Sequence, residues 1–322
     1  MQTLPLSWSL ETNKTETSVT AKYLGEKLKW LSVCSFANHT QFYNLIDYSL
    51  DKQNQNLIIR GCNRNIVEYL KIKGYSATMV GMEAVLETSG NHFEKKSIKQ
   101  IVKRGLRHGS VIELPYSYNN AQQLEDFKTK TIHAAEPQLE NLFQTKFTED
   151  NSLYVLVSKK NIWLGAILVS KNGSEKLHTE LILRTKDSPV GVLESILEKI
   201  FSEAKNNGML ELSLGEVPFV NNGNNGSIIS SSYILRKFGR LLKFAYAYDG
   251  LYNFKNKFQP RWDDLYVCSK PKIGFEHLVF LFVKSNFHKL VFYKIKSKMK
   301  RQKNITKKQN SSNYILPLLD FN

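Results

Sequence analysis

The alternation of apolar and polar positions is clearest in the second half of this 322-residue chain. Leu153–Ser158 (LYVLVS) and Ile162–Ser170 (IWLGAILVS) are apolar runs split by Lys159, Lys160 and Asn161, and read as two strands joined by a turn. Beyond Asn172-Gly173, Leu177–Arg184 (LHTELILR) reads as a third strand. The loop Thr185–Gly191 leads into Val192–Asn206, where Val192, Leu193, Ile196, Leu197, Ile200, Phe201 and Ala204 recur at the spacing of a helix with one buried face. Asn207-Gly208 ends it, and Met209–Leu214 resumes as a strand. Strand, loop, helix and strand in that order predict a βαβ crossover, with free backbone N–H groups at the helix start that favour negative charge.

A fainter copy lies in the first half. Asn56–Arg60 is a short strand, Asn63–Lys73 a helix closed by Gly74, and Tyr75–Glu87 resumes extended structure. A helix over Phe93–His108, a strand at Val111–Leu114 and connecting helices within Asn120–Gln144 complete it. The expected class is therefore α/β, with two tandem lobes, each holding a mixed sheet flanked by helices. Their limits are 1–118 and 149–270, with connecting helices over 119–148 and a basic tail over 271–322. A single continuous sheet would contradict two separate lobes.

Composition adds charge to this picture. The net charge is +16, from 45 Lys+Arg against 29 Asp+Glu, which favours polyanionic partners, meaning nucleic acid or an anionic lipid surface. A Lys- and Asn-rich composition without functional meaning is the plainer alternative. Cys34, Cys62 and Cys268 show neither metal-ligand nor disulfide spacing, and no His-x-x-x-His pair exists, so no metal site is expected and a reducing interior is. The first residues lack a basic start with a long apolar run, and Leu278–Val283 is too short to cross a bilayer. The expected location is cytoplasmic, touching a membrane only from its inner face. From His277 to Leu319 there is no acidic residue, while Lys284 to Lys308 holds ten Lys/Arg interleaved with Phe287, Phe292 and Tyr293. That pattern suits a membrane surface or RNA. The alternative is a packing helix followed by a Lys/Asn-rich end, and composition favours disorder over Lys303–Asn313.

Several stretches resemble the C-terminal catalytic domain of phosphatidylglycerol lysyltransferases. They are Gly81–Ala84 (GMEA), Lys103-Arg104 on a helix that carries Asn-Arg in the family, Glu180–Phe219, and above all Leu251–Val267 (LYNFKNKFQPRWDDLYV), close to the family's Phe-Lys-x-Lys-Phe-x-Pro-x-Trp. The sequence departs from the family where Leu181 stands at the Asp of an Asp-x-x-Arg motif and where Leu265 replaces an Arg before Tyr266. The resemblance implies two GNAT-like acyltransferase lobes and transfer of an aminoacyl group from an aminoacyl-tRNA to a lipid hydroxyl, such as that of phosphatidylglycerol, without a cofactor. An acyl-CoA-dependent N-acyltransferase is an alternative, disfavoured because Thr185–Val190 contains no Gly to cradle a pyrophosphate. A third reading is an inactive basic module that binds RNA or membrane.

Acyl transfer to a hydroxyl needs a held acyl group, a proton acceptor and a stabilised oxyanion. No Ser/His/Asp or Cys/His arrangement is legible, so direct attack on the ester is expected. Glu180 and Arg184 are four residues apart, which on a regular strand puts both on one face about 13 Å apart. Glu180 can hold an α-amino group or act as base, and Arg184 can bind phosphate or the carbonyl oxygen. A solvated strand face is the alternative. Lys255 and Lys257, with Phe258, Trp262 and Tyr266, suit a tRNA acceptor end, although a core role fits the aromatics. Glu83 and Arg104 are further substrate-binding candidates, or a buried ion pair. Glu180, Arg184, Lys255 and Lys257 are expected to line one cavity, with Trp262 or Tyr266 at its wall.

Overall fold

The computed structural model describes residues 4–10, 18–23, 26–36, 44, 47, 56–220, 248–270 and 272–312. The strands are β1 (Ser9–Leu10), β2 (Ser18–Tyr23), β3 (Glu26–Leu31), β4 (Ser35–Phe36), β5 (Asn56–Cys62), β6 (Ser76–Glu87), β7 (Gly109–Leu114), β8 (Ser152–Ser158), β9 (Trp163–Lys171), β10 (Lys176–Arg184), β11 (Glu211–Pro218) and β12 (Arg261–Lys270). The helices are α1 (Arg64–Ile72), α2 (Lys96–Leu106), α3 (Tyr118–Lys128), α4 (Val192–Asn206), α5 (Tyr248–Asn256), α6 (Phe275–Lys284) and α7 (Phe287–Ser312).

The class is mixed α/β, as the periodicity predicts, but the strands do not form two separate sheets. Ten of them join in one sheet of order β2-β3-β5-β12-β6-β11-β10-β9-β8-β7. The two halves meet at the antiparallel β6–β11 pair, from Glu211↔Glu87 to Pro218↔Gly81. The physical reason is edge pairing. β6 is 12 residues long and offers β12 one edge and β11 the other, so neither half keeps an unpaired edge there.

Both βαβ units exist, with different interiors. In the second half β10 and β11 pair directly and in parallel, joined by α4. In the first half β5 and β6 are also mutually parallel, but β12 lies between them, antiparallel to both. The limits of α1 follow the chain chemistry: the Asn63 side chain accepts from the Ile66 N–H at 3.0 Å, and Gly74 takes the left-handed φ of +82° that closes the helix.

One sheet face carries α2 and α4 over a core that includes Leu86, Leu156, Ile167, Ile196, Ile200 and Phe258. The opposite face packs Leu124 and Phe127 of α3 against Leu153, Leu168 and Leu181. The connecting region holds one helix, α3, capped by the Ser117 hydroxyl, and is irregular from there to Asn151, where several helices are expected. Its polar residues serve as hydrogen-bonding loop. Phe280 of α6 is buried with Leu28, Trp30 and Val267, so the first part of the basic tail belongs to the core. Helix α7 runs to Ser312 across a stretch for which disorder is expected, because Lys and Gln propagate a helix already anchored at its start; Asn313 lies outside the described residues. Among the described residues no helix is long and apolar enough to cross a membrane.

Candidate active site

The site grows from a local failure of strand pairing. β10 and β11 pair over Lys176↔Glu211, Leu177↔Leu212 and His178↔Ser213 only, and then diverge. Each strand also slips in register against its other neighbour, between Thr179 and Leu181 on β10 and between Ser213 and Glu216 on β11. Gly215 supplies the left-handed φ of +84° inside the second slip.

Lys255 enters this gap from the end of α5. Its ammonium is buried and donates to the Glu216 carbonyl oxygen at 2.9 Å. A Cβ on Gly215 would lie 3.5 Å from both Lys255 Nζ and His178 Cε1, so these two side chains converge on one point. Burial pushes the Lys255 ammonium down to about 7, although the Glu216 and Glu83 carboxylates pull it upward.

His178 forms the next layer. Its Nδ1 lies 3.0 Å from Ser213 Oγ, and its Nε2 lies 3.3 Å from Ser7 Oγ and 3.7 Å from Glu180 Oε2. Burial, reinforced by Lys176 and Lys255, holds the imidazole well below its ordinary range and keeps it neutral near pH 7. Glu180 accepts from Ser170 Oγ at 2.6 Å and from the Gln144 backbone N–H at 2.9 Å. Ser7 is buried with a left-handed φ of 65°, in a turn clamped where Asn172 Nδ2 donates to the carbonyls of Pro5 and Trp8 at 3.0 and 2.7 Å. Ser7 and Glu180 face the same imidazole nitrogen, so they do not make the acid–histidine–nucleophile line of a serine hydrolase.

An ion-pair ladder crosses the sheet beside the gap. Lys176 Nζ lies 2.8 Å from Glu83 and 3.8 Å from Glu211, and Glu211 in turn pairs with Arg261 at 2.6 Å. Arg60 pairs with Glu216 Oε2. The buried Thr179 Oγ1 and Glu216 Oε1 have no hydrogen-bond partner among the described residues. Buried polar atoms are seldom left so, and both flank the gap.

The four residues expected to line one cavity divide. Glu180 and Lys255 approach His178 from two sides. Arg184 lies elsewhere, because the slip at Glu180 breaks the alternation. Leu177 and Ile182 pack beneath α2 and α4, whereas Leu181 and Leu183 pack on the other face. Glu180 therefore lies with Ser170 on the Leu181 face, and Arg184, next to Leu183, projects to the opposite one. Lys257 pairs with Glu194 in the first turn of α4, its ammonium 4.3 Å from the Phe254 ring centroid and 5.6 Å from that of Phe258.

Phe258 is fully buried in the main core. Trp262 is half-buried and stacks on Tyr252, with centroids 4.8 Å apart and planes at 19°. Tyr266 donates to Asp264 at 3.4 Å, and burial raises its phenol, helped by Asp264. Glu83 and Arg104 do not form a pair: Glu83 binds Lys176, and Arg104 is exposed on α2. Sequence reasoning missed His178, Ser213, Lys176 and Ser7. A usable signal existed for His178, since His178, Thr179 and Glu180 place three successive polar side chains between Leu177 and the apolar run Leu181–Leu183. Gly215 inside a strand likewise signals a bulge.

The family model described as phosphatidylglycerol lysyltransferase, C-terminal, matches residues 38–269. The chain belongs to this family. As a member it is a transferase. Two solved structures support the fold. L-PGS from Bacillus licheniformis is 16% identical with a TM-score of 0.63, over 84% of this chain and 85% of that one. The C-terminal domain of a protein described as a lysylphosphatidylglycerol synthetase, from Agrobacterium fabrum, is 15% identical with the same TM-score of 0.63, over 84% and 87%. A comparison with curated protein sequences finds no match. In this transferase the matched segment includes β5 to β11, all of β12 but its last residue, and the gap, whereas Ser7 and helices α6 and α7 lie outside it.

Proposed function

We propose that this transferase moves an aminoacyl group from an aminoacyl-tRNA to the hydroxyl of a membrane lipid such as phosphatidylglycerol, by direct attack on the ester. The observation that carries the reading is Lys255, a buried amine held at about 7 within a gap between parallel strands. An amine in that range exchanges a proton readily in both directions at neutral pH. The lipid hydroxyl attacks the ester carbonyl and passes its proton to neutral Lys255 Nζ. The new ester C–O bond forms in a tetrahedral intermediate, which collapses as the bond to the terminal ribose breaks and the ribose oxygen takes that proton back. Thr179 Oγ1, on β10 where the strands part and without a hydrogen-bond partner among the described residues, is the side-chain donor assigned to the intermediate's oxyanion. Glu180 and Ser7 act through His178, fixing its ring behind Lys255.

The Tyr252–Trp262 stack offers a platform for the terminal base, and α2 exposes Lys96, Lys99, Lys103 and Arg104 toward backbone phosphates. The acyl-CoA alternative fits less well. Gly105 of α2 presses against Gly191 at the start of α4 so closely that a Cβ there would overlap Gly191 O. Glu194, paired with Lys257, puts a carboxylate in the same turn, where a pyrophosphate would need to sit. The test is reconstitution: full-length protein, phosphatidylglycerol vesicles and a complete set of charged tRNAs, with extracted lipid analysed by mass spectrometry. Aminoacylated lipid is expected. Its absence with every charged tRNA overturns the reading.

A further inference from the structure

Helix α7 carries an apolar stripe that the fold does not cover. Leu290 and Val291 are buried against the body, but Phe292, Ile295 and Met299 are 68%, 41% and 54% exposed. Their spacing, i, i+3 and i+7, puts them on one side of the helix. Lys289, Lys296, Lys298, Lys300 and Lys303 are exposed around them, and no acidic residue occurs from His277 to Leu319. The start of the helix is fixed to the body. Asn141 Nδ2 donates to the Lys284 carbonyl at 2.9 Å, Asn286 Nδ2 to the Gln138 carbonyl at 3.3 Å, and Lys294 pairs with Glu136 at 2.5 Å.

We propose that this stripe docks the protein on an anionic lipid bilayer, with Phe292, Ile295 and Met299 in the acyl boundary and the flanking lysines among the headgroups. The purpose of the contact rests on the lipid-acceptor reading, whereas the contact itself is argued from the helix alone. Water-exposed apolar side chains gain from the acyl region, and lysines at the same level gain from anionic headgroups. A nucleic acid would answer the lysines but leave the stripe in water. A second copy of the chain would cover the stripe but bring like charges together. The helix lies outside the segment matched by the family model.

Removing the tail after Lys270 is a poor test, because it also strips Phe280 from the core. The informative protein is the full chain with Phe292→Ser, Ile295→Ser and Met299→Ser together, compared with Lys296→Gln, Lys298→Gln and Lys300→Gln together. Vesicles of phosphatidylcholine, with and without phosphatidylglycerol, are the probe, read by co-sedimentation at low salt and at about 0.5 M salt, where surface charge is strongly screened. The unaltered chain is expected to prefer anionic vesicles at least tenfold and to keep part of its binding at high salt. The serine variant should lose at least tenfold at both salts with unchanged thermal unfolding. The glutamine variant should lose the anionic preference and keep the salt-resistant part. Equal binding by the serine variant overturns the proposal, as does a full chain that ignores anionic vesicles. A dimer that the serine substitutions dissolve, or RNA binding that they weaken equally, also overturns it. Vesicle binding without lipid aminoacylation would refute the proposed reaction and leave the docking helix standing.

Discussion

The two βαβ units of this chain have the same order of elements and opposite interiors. Between β5 and β6 the space is filled by an entire strand, β12, with ladder pairs to both neighbours. Between β10 and β11 the strands touch for three residue pairs and part, and the space receives one side chain, Lys255. Both fillers come from a single stretch, residues 248–270. A strand satisfies every backbone group and leaves no room for chemistry. Beside the buried amine, Thr179 Oγ1 has no hydrogen-bond partner among the described residues, and burial lets the amine release its proton near pH 7. Closure stabilises the first unit, and in the proposed reaction incomplete closure gives the second its reactivity.

The largest expected effect lies in the closed unit. Cys268 is fully buried in β12 among the N-terminal core residues. Cys268→Asp should cost about 4 kcal/mol or more and abolish cooperative thermal unfolding. A folded, active Cys268→Asp protein would break the contrast.

The open unit should answer through activity. Lys255→Met is expected to lower turnover by about 100-fold or more, the scale of a lost proton-transfer group. In the unaltered protein kcat/KM should rise with pH through about 7 as Lys255 sheds its proton, and Lys255→Met should remove that limb. Stability should move the other way from activity in this variant. The ammonium titrates at about 7 when folded and at 10.5 when unfolded, so the unfolded chain alone binds the extra proton between those values. Stability therefore rises with pH across that window. Below it the buried charge costs on the order of 5 kcal/mol, which Lys255→Met should recover in part. A variant with unchanged turnover would take Lys255 out of the reaction.

Smaller effects sharpen the boundary of the site. Ser7→Ala removes a hydroxyl whose only side-chain partner among the described residues is His178, and should cost about tenfold in kcat with KM nearly unchanged. Unchanged thermal unfolding of Ser7→Ala would separate positioning of the ring from general loosening of the turn. Arg184→Ala should change turnover by less than about threefold, below about 0.7 kcal/mol, because its side chain leaves the opposite face of the sheet. A tenfold loss would return Arg184 to the site and extend the open unit to the end of β10.

What was legible and what was not follows one rule. Helix α4 occupies Val192–Asn206 as its apolar spacing predicts, and the strands on either side lie within a few residues of expectation. Local periodicity suffices there because each element buries its own continuous face. Glu180 and Arg184 show where it fails: a one-residue slip reverses every later side chain, and hydrophobic spacing does not reveal it. Lys255 and Lys257 show the same limit on a helix end, since two residues separate a buried amine from an ion pair with α4.

By itself the sequence determined the α/β class, the βαβ order of both halves, the basic tail and the family resemblance carried by Leu251–Val267. All of these reside in short-range spacing or in contiguous motifs. Only the tertiary structure decided that one sheet unites the halves, that β12 fills one unit while Lys255 enters the other, and that Ser7 reaches His178 across 171 positions. Such pairings depend on which edges and buried polar groups find partners once the chain is compact, and no local pattern encodes that choice.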